Sequence, residues 1–133
     1  MREILIRGKH MDGGVWCEGN LAVSKGGVAI ITPDNTPCGV YGQVDPDTVG
    51  QFTGLTDKNG TKIFEGDVVH MNSKRFGLSG HGVVVFRNGG FAIDDRKRNR
   101  LYPFMQNGQY NAGDYRVDGN IHDHKELLHD SKV

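Results

Sequence analysis

The sequence lacks most of what would mark a membrane protein, a cross-linked secreted domain or a known type of enzyme. No apolar run approaches the ~18 residues of a membrane-spanning helix. The opening Met1-Arg2-Glu3-Ile4-Leu5-Ile6-Arg7-Gly8 has only a brief apolar core, with Glu3 where a leader would carry basic residues. No membrane association is expected, and the expected location is the cytoplasm. Only two cysteines are present, Cys17 and Cys38. They do not form a C-x-x-C pair, so a zinc ribbon has no framework here. One disulfide is open to them, but without a secretory leader both thiols are expected to stay reduced. Net charge is missing as well: 16 Lys+Arg balance 16 Asp+Glu, so no overall field steers the chain toward nucleic acid or membrane.

Glycine, by contrast, is plentiful, 20 of 133 residues, about twice the usual ~7%. With four prolines and no repeat period, this abundance points to tight turns between short strands. Ile4-Leu5-Ile6 opens the chain as a strand. Val15, Cys17, Leu21 and Val23 share a parity, and Val28-Ala29-Ile30-Ile31 is a short buried run. Thr32 to Pro37 must be a loop. Asp45-Pro46-Asp47-Thr48 combines a capping acid with proline at the first helical position, which predicts a short helical turn near 46–50. Further strands are expected at 51–53, 62–64, 68–71 and 116–121, and a hairpin over 82–94 turning at Asn88-Gly89-Gly90. Residues 72–80 and 94–115 read as polar, irregular segments, and 123–129 as a second short helical element. The whole predicts a mainly β, barrel-like fold in one domain of residues 1–133. Residues 32–44 offer a division into β subunits 1–44 and 45–133.

Candidate chemistry is sparse. His122, Asp123, His124 and His129 are of metal-ligating type but lack ligand spacing, so no metal or other cofactor is expected. Leu55 to Gly66 imitates half a calcium loop, yet Leu55 and Gly66 occupy the first and twelfth places, where ligands are required. Glu65 and Asp67 flank Gly66 on a turn that would leave them in solvent, without the desolvation that separates the pKa values of a catalytic pair. No nucleophile elbow and no nucleotide-binding glycine pattern occurs, so no catalytic residue is assigned. Trp16 is expected in the core. One segment is concentrated in charge. Residues 74–100 carry Lys74, Arg75, Arg87, Arg96, Lys97, Arg98 and Arg100 against Asp94 and Asp95, a net +5. Tyr102 and Phe104 follow, placing charge for phosphate beside rings for stacking.

The run Val44-Asp45-Pro46-Asp47-Thr48-Val49-Gly50-Gln51-Phe52-Thr53-Gly54-Leu55-Thr56-Asp57-Lys58-Asn59-Gly60, continuing through Lys62-Ile63-Phe64-Glu65-Gly66-Asp67-Val68-Val69, resembles the YopX family of phage- and prophage-encoded proteins. The resemblance extends to Met1-Arg2-Glu3-Ile4, Arg7-Gly8, Trp16 and Gly19. It also takes in Gly82-Val83-Val84 with Phe86, and Gly119-Asn120-Ile121-His122 with Glu126-Leu127-Leu128. It implies a β-rich fold with an SH3-like barrel portion and a phage origin, and it brings no catalytic residues. Two positions depart from the family's pattern. His124-Lys125-Glu126-Leu127 stands where an Asn-Pro-Glu-Leu type of segment is common, and Asp118 replaces an apolar residue.

The expected function is that of a non-enzymatic phage or prophage accessory protein in the host cytoplasm, a protein-binding or adaptor module. Its partner is another protein or a second copy of itself, since edge strands offer pairing sites. The alternative is a nucleic-acid-binding protein using Arg96, Lys97, Arg98 and Arg100 with Tyr102 and Phe104.

Overall fold

A computed structural model of the chain describes residues 2–32, 38–73, 77–106 and 108–128. It is mainly β, and its only helical elements among the described residues are single 3₁₀ turns. The chain divides into two compact units, Met1–Gly54 and Leu55–Val133.

In the first unit β1 (Ile6–Lys9), β2 (Trp16–Ser24), β3 (Gly27–Ile31), β4 (Tyr41–Val44) and the start of β5 (Gly50–Thr56) pair antiparallel in the order β4-β3-β2-β1-β5. The boundary falls ten residues beyond Val44, because β5 begins by pairing with β1. The sheet also curls: the Met11 amide donates to the Gln43 carbonyl and the Asp45 amide to the Lys9 carbonyl, both at 2.9 Å, which returns β4 to the end of β1. The predicted turn near 46–50 is the 3₁₀ segment Pro46–Thr48, capped by the Asp45 carboxylate accepting from the Asp47 amide. Inside the curl lie Cys17, Ile30, Cys38 and Val44. Cys17 and Cys38 are joined as a disulfide, with Cα atoms 5.9 Å apart, which corrects the expectation of reduced thiols. Strand pairing brings the two residues within bridging reach, a geometric fact that the compartment argument could not weigh. The parity of β2 is also only half a core pattern: Cys17 is buried, whereas Val23 is 73% exposed at the hairpin end. Trp16 is half-buried and lies under the Arg7 guanidinium, 4.7 Å from the ring centre.

The second unit is entered through β5 and β6 (Lys62–Phe64), followed by β7 (Asp67–Ser73), β8 (Leu78–Arg87), β9 (Gly90–Asp95) and β10 (Arg100–Pro103). The short pair β11 (Met105–Gln106) and β12 (Gln109–Tyr110) precedes β13 (Tyr115–Asn120). The main sheet is antiparallel in the order β10-β9-β8-β7-β13, with β10 and β13 as its edges, so it does not close into a barrel. Ile63, Val69, Met71, Val84, Ile93, Phe104 and Tyr115 form its core. The predicted hairpin over 82–94 is present within β8 and β9. Asn88 and Gly89, both at positive φ, make its two-residue turn, of the kind whose twist matches the strands. Of the irregular segment expected at 72–80, residues 72–73 and 78–80 instead continue β7 and β8, while residues 74–76 lie outside the described residues. Most of the expected irregularity of 94–115 is likewise resolved into β10, β11, β12 and a 3₁₀ turn at Ala112–Asp114.

Two carboxylates fix this unit from inside. Asp57 accepts hydrogen bonds from the amides of Asn59 and Thr61, closing its own turn, and from the amide of Val117 at 2.8 Å. Asp67, expected in solvent, is 2% exposed and accepts from the Phe64 amide at 2.7 Å. A tight turn presents a buried backbone donor, and a carboxylate inside satisfies it more strongly than water outside would.

Candidate functional site

The site begins with strand register. Arg116 on β13 stands opposite His70 on β7, and His70 stands opposite His81 on β8. Register partners on adjacent strands share a face, so these three side chains form one rung across the sheet. The His70 and His81 rings meet edge to face with centroids 5.2 Å apart. The ladder between β13 and β7 slips between Val117 and Gly119, leaving Asp118 as the extra residue of a bulge. That bulge aims the Asp118 carboxylate back along the rung. One oxygen takes a hydrogen bond from Arg116 Nε at 2.6 Å, while the other lies 3.0 Å from the second guanidinium nitrogen and 2.7 Å from His81 Nε2. This paired, charge-assisted contact holds the Asp118 carboxyl down at about 2, with Arg116 the main cause and His81 a smaller one. The departure from the family pattern at Asp118 is therefore a polar anchor.

Facing the rung is the turn between β9 and β10, which carries the basic segment. Asp95, buried at its base, accepts from the Arg98 amide and from the Arg98 guanidinium at 2.7 Å, and the other end of that guanidinium donates to the Ser79 carbonyl at 3.1 Å. Gly80 makes room for it. Its φ is +152°, and a Cβ there would lie 3.3 Å from the guanidinium. The last wall is the 3₁₀ turn Lys125–Leu128. Together His70, Ser79, His81, Lys97, Arg98 and Leu128, with their neighbours, enclose a cleft of about 240 Å³. Arg96 and Leu128 also border an adjoining hollow with His122 and Lys125. His70 is held below the usual imidazole range, first by burial, then by the positive charge of Arg116.

The residues predicted to contact nucleic acid separate in the structure. Arg96, Lys97 and Arg98 all line the cleft. Arg100 is exposed at the start of β10, across from Asp95 in the register. Tyr102 is half-buried and packs on the core, and Phe104 is 3% exposed, packed beside Tyr110 and Tyr115, so its ring offers no stacking face. Of the histidine cluster, His124 Nδ1 accepts from the Asn120 amide and Asp123 takes a bond from the Asn120 side chain, while His129 lies outside the described residues, as do Lys74 and Arg75. Among the described residues no three His, Cys, Asp or Glu side chains are grouped to hold a metal ion.

His81, Arg116 and Asp118 carry the site, and composition did not reveal them. The signal that would have found the histidine pair is hairpin register: once Ser73 is placed opposite Leu78, His70 falls opposite His81.

The chain is similar to the crystal structure of protein EF1440 from Enterococcus faecalis, at 26% identity and a TM-score of 0.60, over 96% of this chain and 99% of that one. No curated protein matches it. The family model described as YopX protein matches residues 17–129, and the chain belongs to that family.

Proposed function

We propose that the chain is a non-enzymatic accessory protein of a phage or prophage, working as a protein-binding or adaptor module. The cleft walled by Arg96, Lys97 and Arg98 is its contact surface. The observation that carries this reading is the mounting of that wall. The basic turn is bound down to the sheet through Asp95 and Ser79, opposite a rung whose His81 is held by Asp118, itself anchored by Arg116. A site on a rigid sheet, with its charges already oriented, loses little entropy when a partner docks. An acidic segment of a protein complements it. The test is capture from lysate of cells carrying the phage, comparing the wild-type chain with Arg96→Glu/Lys97→Glu. The expected result is a protein retained by the first and lost from the second. Equal retention by both removes the cleft from the function.

A second reading, nucleic-acid binding, is favoured by the convergence of Arg96, Lys97 and Arg98 on one cleft with Arg100 close by in sequence. It would rest on phosphate contacts without base stacking, since Phe104 is buried. Retarded mobility of a duplex at low salt, abolished in Arg96→Glu/Lys97→Glu, supports it. Unchanged mobility removes it.

A further inference from the structure

We propose that the cleft between the β9–β10 turn and the His70–His81 rung is a receptor for a terminal phosphoryl group, a phosphomonoester dianion. This rests on reading the cleft as the contact surface and specifies the chemistry it takes.

Size is the first argument. The cleft itself holds about 240 Å³, room for one compact charged group, and the adjoining hollow of about 550 Å³ past Arg96 and Leu128 leaves space for the atoms that carry it. The second is the balance of groups. Lys97, Arg98 and Arg96 line the cleft with two imidazoles; the lining carboxylate Asp95 has both oxygens engaged by Arg98, and Arg96 lies 3.9 Å from Asp94, which is outside the lining. The Arg98 guanidinium, with its two terminal nitrogens on Asp95 and the Ser79 carbonyl, is fixed in place and gives the wall a pre-placed donor edge. The wall of Leu127 and Leu128 keeps water away from one side, which strengthens each charge contact.

The chemistry of the imidazoles separates a monoester from a diester. His70 is faced by Arg116 and Asp118 from β13, by His81 from β8 and by Lys58 from the turn after β5. Lys97 and Arg98 of the β9–β10 turn, and Leu127 and Leu128 of the last 3₁₀ turn, complete its surroundings in the cleft. Burial and the cations that surround it keep it unprotonated in the empty cleft. A dianion entering the cleft opposes that positive potential and draws a proton onto His70. A nucleic-acid backbone has one negative charge per phosphate and no ring to stack on at Phe104.

The test is calorimetric titration of the full chain with phenyl phosphate at neutral pH in two buffers of different ionisation enthalpy. The expected result is saturable binding with net proton uptake. The expected loss of affinity is about tenfold in Lys97→Ala, the scale of one charge-assisted hydrogen bond. His70→Asn is expected to bind with the uptake removed, and Gly80→Ala, which pushes on the Arg98 guanidinium, to weaken binding with Lys97 intact. Thermal melts confirm that each variant is folded. Two further arms identify the source: a phosphoserine peptide against its unphosphorylated twin, and a single-stranded oligonucleotide with a 5′-phosphate against one with a 5′-hydroxyl. Binding of the phosphorylated member of either pair alone supports the monoester. Equal binding of both oligonucleotides, or no saturable binding of phenyl phosphate, overturns it. If a protein partner is still captured through Arg96 and Lys97 while phenyl phosphate fails to bind, the contact-surface reading stands and this inference falls. Phenyl phosphate binding with no captured partner gives the reverse.

Discussion

Asp118 and Asp57 show how two carboxylates of the same unit do different work. Asp118, with its side chain 17% exposed, is ionised well below the usual carboxylate range because the Arg116 fork and His81 favour its charged form. A carboxyl whose folded pKa is depressed adds stability that is fully present above its unfolded pKa and disappears as pH falls through the folded one. Taking about 2 for the folded chain, Asp118 contributes about 2 kcal/mol above pH ~4, lost between there and pH ~2. Urea melts of the wild type and Asp118→Asn are therefore expected to differ near neutrality and converge in acid. Asp57 instead holds backbone. Burial opposes its charge, yet amides of Val117, Thr61 and Asn59 overcome that and hold its carboxyl below the usual range. Asp57→Ala leaves those buried donors without their acceptor, so its expected cost is about 3 kcal/mol or more by urea denaturation, against well under ~1 for an exposed control such as Asp47→Ala.

At the scale of elements, legibility followed the turns. The Asn88-Gly89 hairpin and the capped turn at Pro46 were readable because each depends on a residue whose backbone preference is local. The β7–β8 hairpin carries no such local signal. Its strands run through Asn72, Ser73 and Ser79, polar residues that look like loop until the partner strand is known. The cleft is hidden for the same reason: Arg116, His70 and His81 are distant in sequence and become neighbours only through register, while Asp118 joins them through a bulge that no periodicity announces. The disulfide is hidden for a different reason, since pairing of cysteines depends on Cα separation and not on composition. It ties β2 to the segment entering β4 across 21 residues, a closure worth about 3 kcal/mol in the chain-entropy account. Reductant is expected to lower amide-exchange protection within residues 1–54, where both cysteines lie, with Cys17→Ser/Cys38→Ser reproducing the loss in its absence.

For the whole molecule, zero net charge hides a strong local arrangement. The chain's pI is near 7.0, yet three basic residues of one turn face a single cleft. A long-range field cannot bring such a protein to its partner, so recognition depends on charges within a Debye length of contact, ~10 Å at 0.1 M salt and ~3 Å at 1 M. Binding through the cleft is expected to weaken by at least about tenfold over that range, measured by calorimetry or retention on immobilised partner. Self-association through Val23, Tyr41 and the other exposed apolar residues of the first unit would persist or strengthen at the higher salt, which separates the two modes by sedimentation.

The bulge at Asp118 gives this protein an unusual genetic vulnerability. Val117 and Gly119 already face the consecutive residues Val69 and Val68, so loss of the single codon between them would restore an uninterrupted ladder. Such an allele would lose the tether on His81 and, with it, the stability that the Asp118 carboxylate contributes. An in-frame deletion of this kind would isolate what the tether on His81 contributes to the cleft, with a urea melt reporting its cost in stability.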